Sequence, residues 1–131
     1  MTLVDTSVWV DRLRKGDAAL KDLLDATCVL THPFVIGELP LGNLHQRDLI
    51  LGGLAALPTV VVATEAEVMH FINIDALFGL GLGYVDVNLL ASVRLSAGTA
   101  LWTRDKRLQA VAERLGLHAS PSAILERSDV A

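Results

Sequence analysis

Residues 3–7, LVDTS, run from two apolar side chains straight into an acid and two hydroxyls. Leu3 and Val4 predict a buried strand. The carboxylate of Asp5 at its end needs a reason, because burying an isolated charge costs several kcal/mol unless it is paired or bound to metal. Working outward, the first strand reads as TLVD, and three more short apolar runs have the same character: CVLT at 28–31, TVVV at 59–62 and ALWT at 100–103. Longer segments with helical spacing separate them. Strands alternating with helices predict an α/β fold with a central parallel sheet covered on both faces. Ligands of such sheets bind beyond the carboxyl ends of the strands, which is where Asp5 stands.

Among the helices, 105–115 is the clearest: Leu108, Val111, Ala112 and Leu115 recur on one face and Gly116 follows as a stop. Segment 64–77 opens with Thr64 and Glu67 spaced as a capping box. Segment 84–97 is apolar apart from Asp86, Asn88, Ser92, Arg94 and Ser96, so much of it is expected to be buried. Helices are also expected at 33–44 and 46–57. The 131 residues suit a single domain over 1–131. Although 52% of residues are hydrophobic, no apolar run reaches the roughly 20 residues of a membrane span, and no export signal opens the chain. The apolar excess therefore belongs to a core and a subunit interface. A lone Cys28 in an apolar run cannot staple the fold, which suits a reducing cytoplasm. The net charge of −4 argues against binding nucleic acid through a broad basic face, so local cations or metal ions must bring such a partner in.

Four acids stand in apolar settings. LWTRD at the fourth strand end repeats the logic of LVDTS and supplies Asp105; Asp86 follows GLGLGYV; Glu38 lies in PFVIGELPLGNL. All four are expected to be embedded, and bases able to pair with them in the core are scarce. Taken singly, Asp5, Asp86 and Asp105 could each be a helix N-cap, an arrangement worth about 1 kcal/mol. Taken together, converging acids without matched bases fit a hard-cation site, since Mg²⁺ or Mn²⁺ prefers oxygen ligands and offsets their repulsion. Weaker signals point elsewhere. GLGLGY lacks the third glycine of a dinucleotide loop and reads as a plain loop. His32, His45, His70 and His118 lack metal-ligand spacing and read as surface or turn residues, with His32 beside Pro33 a candidate for lining the site. Arg12, Arg14, Lys15, Arg104, Lys106 and Arg107 read mostly as solvated helix faces, although Arg12, Arg14 and Arg104 are candidates for holding an RNA strand.

The segments LVDTSVWVDRLRKGD, VIGEL followed by GNL, GLGYVDVNLLASVRL and ALWTRDKRLQAVAERLG together resemble the PIN-domain ribonucleases, in particular the VapC-type toxins of VapBC toxin–antitoxin modules. The resemblance covers essentially the whole chain. It implies a three-layer α/β/α domain with a central parallel sheet, and Mg²⁺-dependent hydrolysis of RNA, with Mn²⁺ as a substitute, by acids clustered at the carboxyl edge. The family's acids fall on Asp5, Glu38, Asp86 and Asp105, with Asp5 and Asp86 holding the metal; Thr6, Ser7 and Thr103 match the flanking hydroxyls. Pro40, two residues after Glu38, departs from the expected pattern of a good helix former. The partners implied are an RNA substrate, a cognate VapB-type antitoxin and a second copy of the chain in a cytoplasmic homodimer, with apolar helices such as 33–44 or 46–57 among its contacts.

The alternative is phosphoryl transfer with Asp5 as nucleophile, as in haloacid-dehalogenase-like phosphatases or receiver domains, with Thr103 and Lys106 in supporting roles. The phosphatase pattern needs an acid two residues after the first, where this chain has Ser7, and a receiver needs its acid at the end of a middle strand, which neither CVLTH nor TVVVAT supplies.

Overall fold

The computed structural model describes residues 1–16 and 18–119. In chain order the elements are β1 (Thr2–Val4), α1 (Thr6–Lys15), α2 (Ala18–Asp25), β2 (Val29–Leu30), α3 (Pro33–Glu38), α4 (Arg47–Ala55), α5 (Glu65–Ile74), α6 (Tyr84–Leu95), β3 (Ala100–Trp102) and α7 (Lys106–Arg114). The side chains of Arg14 and Lys15, and residues 120–131 of the expected single domain, lie outside what is described.

The strands form a parallel sheet in the order β2-β1-β3. Thr2 pairs with Val29 and Ala100, and Leu3 with Leu30 and Leu101, so all three strands end on one edge. Successive strand residues point to opposite faces, and Thr2, Leu3 and Val4 are all fully buried. Both faces of β1 are therefore covered, as the α/β expectation requires. On one face lies α6, which touches β3 and is backed by α5. Its residues Val87 to Val93 are buried without a break, which explains why its sequence is nearly apolar all round.

Two expectations change. The strand expected at 59–62 is reduced to a single parallel bridge between Thr31 and Thr59, beyond the edge of β2. The next donors are taken by hydroxyls of α6 and the residue that caps it: Val61 N–H donates to Ser96 Oγ, just past the helix, and Ala63 N–H to Ser92 Oγ, both at 3.1 Å. Val61 and Val62 are left exposed. The helix expected over 33–44 ends at Glu38 and tightens into a 3-10 turn at Leu39–Leu41. Pro40 has no N–H to continue the α ladder, and its ring crowds the preceding turn.

Candidate active site

Asp5 is placed by the sheet. Its N–H donates to Trp102 O at 2.9 Å, continuing the β1–β3 ladder one residue past the strand. It also occupies the N-cap of α1, but its side chain makes no capping bond. Its Oδ2 accepts instead from Ser7 Oγ and Thr103 Oγ1, each at 2.7 Å. Those hydroxyls in turn accept from the next strand's turn: Arg104 N–H donates to Ser7 Oγ at 3.0 Å and Asp105 N–H to Thr103 Oγ1 at 3.1 Å. With both hydroxyl protons committed to one carboxylate oxygen, the rotamer of Asp5 is set. Its Oδ1 receives no hydrogen bond among the described residues.

The remaining acids come from three helix ends. Glu38, last in α3, accepts from Thr6 Oγ1 at 2.8 Å, tying α3 to the start of α1. Asp86, in the first turn of α6, accepts from Gly83 N–H at 3.0 Å. Asp105 caps α7, its Oδ1 accepting from Arg107 N–H at 2.9 Å and Leu108 N–H at 3.1 Å. Burial is the main force raising the Asp86 carboxyl above its usual range; the Gly83 N–H opposes it, and the charges of Asp5, Asp105 and Glu38 push it further up. Asp86 thus feels the other three acids, which brings all four sequence candidates to one edge of the sheet. None of the four is ion-paired among the described residues, whereas Asp11, Asp25 and Asp75 are, with Arg104, Lys21 and Arg94.

The expectation that all four acids are embedded holds only in part. Asp5 is 6% exposed and Asp86 half-buried, but Glu38 and Asp105 are exposed. At those two positions the apolar neighbours, Leu39 and Leu108, take the buried face while the acid turns outward. Capping accounts for Asp105 and in part for Asp86, and it fails for Asp5, which is the acid left without a structural duty at the helix.

His32 corrects the surface reading outright, for it is fully buried. Its Nδ1 accepts from Phe34 N–H at 3.0 Å, capping α3. The ring proton therefore sits on Nε2, which donates to Ser92 Oγ at 3.1 Å. Burial pushes this histidine down to about 4. A histidine before Pro33 at a strand end was the available signal, since proline at the first helical turn marks the residue before it as a cap. Arg104 is pinned at the site's rim: its guanidinium lies 5.7 Å over the Trp102 ring and 3.0 Å from Asp11 Oδ2. The loop reading of GLGLGY stands: Gly79 and Gly81 have φ 73° and 79°, left-handed backbone that favours glycine, and Arg107 Nη1 rests 2.8 Å from where a Cβ on Gly81 would sit.

Among the described residues no three His, Cys, Asp or Glu side chains close into a ready-made metal cage. What converges is an open, all-oxygen set with one oxygen of Asp5 free and no base to neutralise it. That donor set fits Mg²⁺ or Mn²⁺, which retain several waters, and does not fit Zn²⁺ in a closed structural site. One consequence is measurable without metal. A carboxyl raised in the fold is charged more easily in the unfolded chain, so the penalty is absent at acid pH and complete once pH has risen above its folded pKa. Asp86→Asn is therefore expected to raise the melting temperature in EDTA at pH 7 and to lose that advantage on acidification. A variant less stable than the parent at pH 7 would show that the Gly83 bond outweighs burial and repulsion.

A family model described as PIN domain matches residues 2–114. Two curated relatives, each named Ribonuclease VapC32, come from Mycobacterium tuberculosis strains CDC 1551 / Oshkosh and ATCC 25618 / H37Rv. Each is 50% identical over 117 residues, covering 89% of this chain and 94% of the relative. The expected parallel sheet, its acidic carboxyl edge and this match agree, and the chain belongs to the PIN-domain family as a VapC-type ribonuclease.

Proposed function

We propose that the protein is a divalent-metal-dependent endoribonuclease and the toxin of a toxin–antitoxin pair, hydrolysing RNA phosphodiester bonds at the edge formed by Asp5, Glu38, Asp86 and Asp105. The observation that carries this is the convergence of three negative charges on half-buried Asp86 with no basic partner for any of the four acids among the described residues. The ribonuclease names of the curated relatives support RNA as the substrate. Asp5 and Asp86 would hold Mg²⁺, with Mn²⁺ as a substitute, and Glu38 and Asp105 would complete the shell through water. When bound, the ion supplies an activated water and neutralises charge on the phosphodiester.

The chain's own residues prepare that chemistry. Ser7 and Thr103 fix the Asp5 carboxylate so that its Oδ1 stays available, as supporting hydroxyls commonly do for ligating groups. Thr6 holds Glu38 by Oε1 and leaves Oε2 to accept a proton. The network argues against Asp5 as a phosphate acceptor, because its bonded neighbours are hydroxyls and not the lysine a receiver site requires.

Incubating purified protein with total RNA tests the reading. Discrete fragments that appear with Mg²⁺ or Mn²⁺ and vanish in EDTA are expected; cleavage that persists in EDTA, or a stable aspartyl-phosphate with no cleavage, would contradict it. We also infer a cytoplasmic homodimer and a VapB-type antitoxin that silences the site. Leu41, 87% exposed in the 3-10 turn after α3, and Leu49, 72% exposed on α4, lie in the two segments expected at such an interface. No helix of the described residues is long and apolar enough to cross a membrane. A monomer by light scattering at micromolar concentration would contradict the dimer.

A further inference from the structure

Two aromatic rings stand open on the helices that carry two of the acids. Phe34, 38% exposed, lies on α3 four residues before Glu38, and Tyr84, 51% exposed, opens α6 two residues before Asp86. Residues four apart share a helix face, so the Phe34 ring and the Glu38 carboxylate rise from the same side of α3. The two rings meet across the helices, centroids 6.5 Å apart and planes inclined by 42°. They are held from behind: the His32 ring meets Phe34 edge-on at 5.2 Å, and His32 is itself fixed to Ser92 and to the Phe34 N–H. At the start of α6 the Tyr84 carbonyl accepts the Asn88 amide at 2.8 Å. A pair serving only the core would be covered, and these two are not.

An RNA strand approaching this edge meets a chain of net charge −4 and four unpaired acids, so phosphate contacts supply little affinity before metal is in place. Arg104 is engaged by Asp11 and Trp102. Stacking is the contact that escapes this difficulty, because a base is neutral and every base offers a π face. In a duplex those faces are covered by neighbouring pairs, whereas a loop or single strand can present one.

We propose that Phe34 and Tyr84 form a stacking platform for one unpaired base beside the cleaved bond. The inference rests on the ribonuclease reading for its ligand. Its test uses binding, so the two can fail separately. Affinity for a short labelled single-stranded RNA is measured by fluorescence anisotropy in Ca²⁺, with the RNA shown intact afterwards on a gel. Phe34→Leu and Tyr84→Leu keep apolar bulk and remove the π face; each is expected to weaken binding several-fold, and the pair by about tenfold or more, within the range of one lost stack. Tyr84→Phe is expected to bind as the parent does. An abasic nucleotide stepped along the RNA is expected to weaken parent binding at one position, and to cost the double-leucine protein nothing further there. The same sequence as a duplex is expected to bind both proteins alike.

Affinity of the leucine variants within twofold of the parent, or an abasic penalty that persists in the double variant, would overturn the platform. Unchanged RNA affinity together with lost antitoxin binding would overturn it too and assign the rings to the protein partner. RNA binding with the expected abasic pattern but no cleavage in any metal would sustain the platform and remove the nuclease.

Discussion

Asp5→Asn is expected to lower RNA cleavage by roughly a thousandfold or more, beyond the 10–100-fold typical of losing a group that only supports a metal ligand. The substitution keeps the shape of the side chain, and its amide oxygen can still accept from Ser7 and Thr103, which now donate to Asp5 Oδ2 at 2.7 Å. What disappears is the charge and the second, unengaged oxygen. Because the side chain of Asp5 makes no capping bond to α1, its loss removes no helix cap, and the cluster repulsion felt by Asp86 is relieved. The variant should therefore melt no earlier than the parent in EDTA. Activity within tenfold of the parent would remove Asp5 from the metal; a marked loss of stability would make it a structural residue.

The second large effect is acid lability centred on His32. This histidine is fully buried and its folded pKa is lowered from 6.5 to about 4 by burial. Geometry points the same way, since a proton on Nδ1 would face the Phe34 N–H that now donates to it. The unfolded chain takes up its proton near 6.5 while the fold refuses it until about 4, so this contribution is complete above 6.5 and is lost as pH falls through that window. The loss amounts to roughly 3 kcal/mol, at about 1.36 kcal/mol per unit of pKa. Asp86, whose carboxyl is raised by burial, works in the opposite direction. Denaturant unfolding at intervals between pH 7 and pH 4 measures the slope. His32→Asn retains an acceptor for the Phe34 N–H, and is expected to be less stable at pH 7 but flatter across the window; an equal slope in both proteins would place the titrating group elsewhere.

Strand–helix alternation and the acidic strand ends were legible because each rests on local pattern: LV before Asp5 and LW before Thr103 are apolar runs that stop at polar residues. Burial of the individual acids was not legible. An apolar neighbourhood in sequence cannot say which residue of a helix end turns outward, and at Glu38 and Asp105 it is the acid. TVVV has the composition of a strand, yet after Val60, which donates to the Thr31 carbonyl, the hydroxyl of Ser96 at the end of α6 takes the Val61 amide hydrogen and that of Ser92 takes the amide of Ala63 just beyond. Those side chains meet only through the tertiary fold. Pro40 was legible as an irregularity, and its consequence is local: α3 stops at Glu38 and presents it to Thr6. His32 was misjudged because its partners are Ser92, sixty residues away, and its own helix cap.

The measurement that reaches the central claim most directly is anomalous diffraction from crystals of the protein soaked in Mn²⁺. An ion peak coordinated by Asp5 and Asp86, with Glu38 and Asp105 reached directly or through water, is the predicted result, and the peak should vanish in Asp5→Asn crystals. Crystals whose dissolved protein cleaves RNA in Mn²⁺, but which show that ion elsewhere or bound equally well without the Asp5 charge, would contradict it.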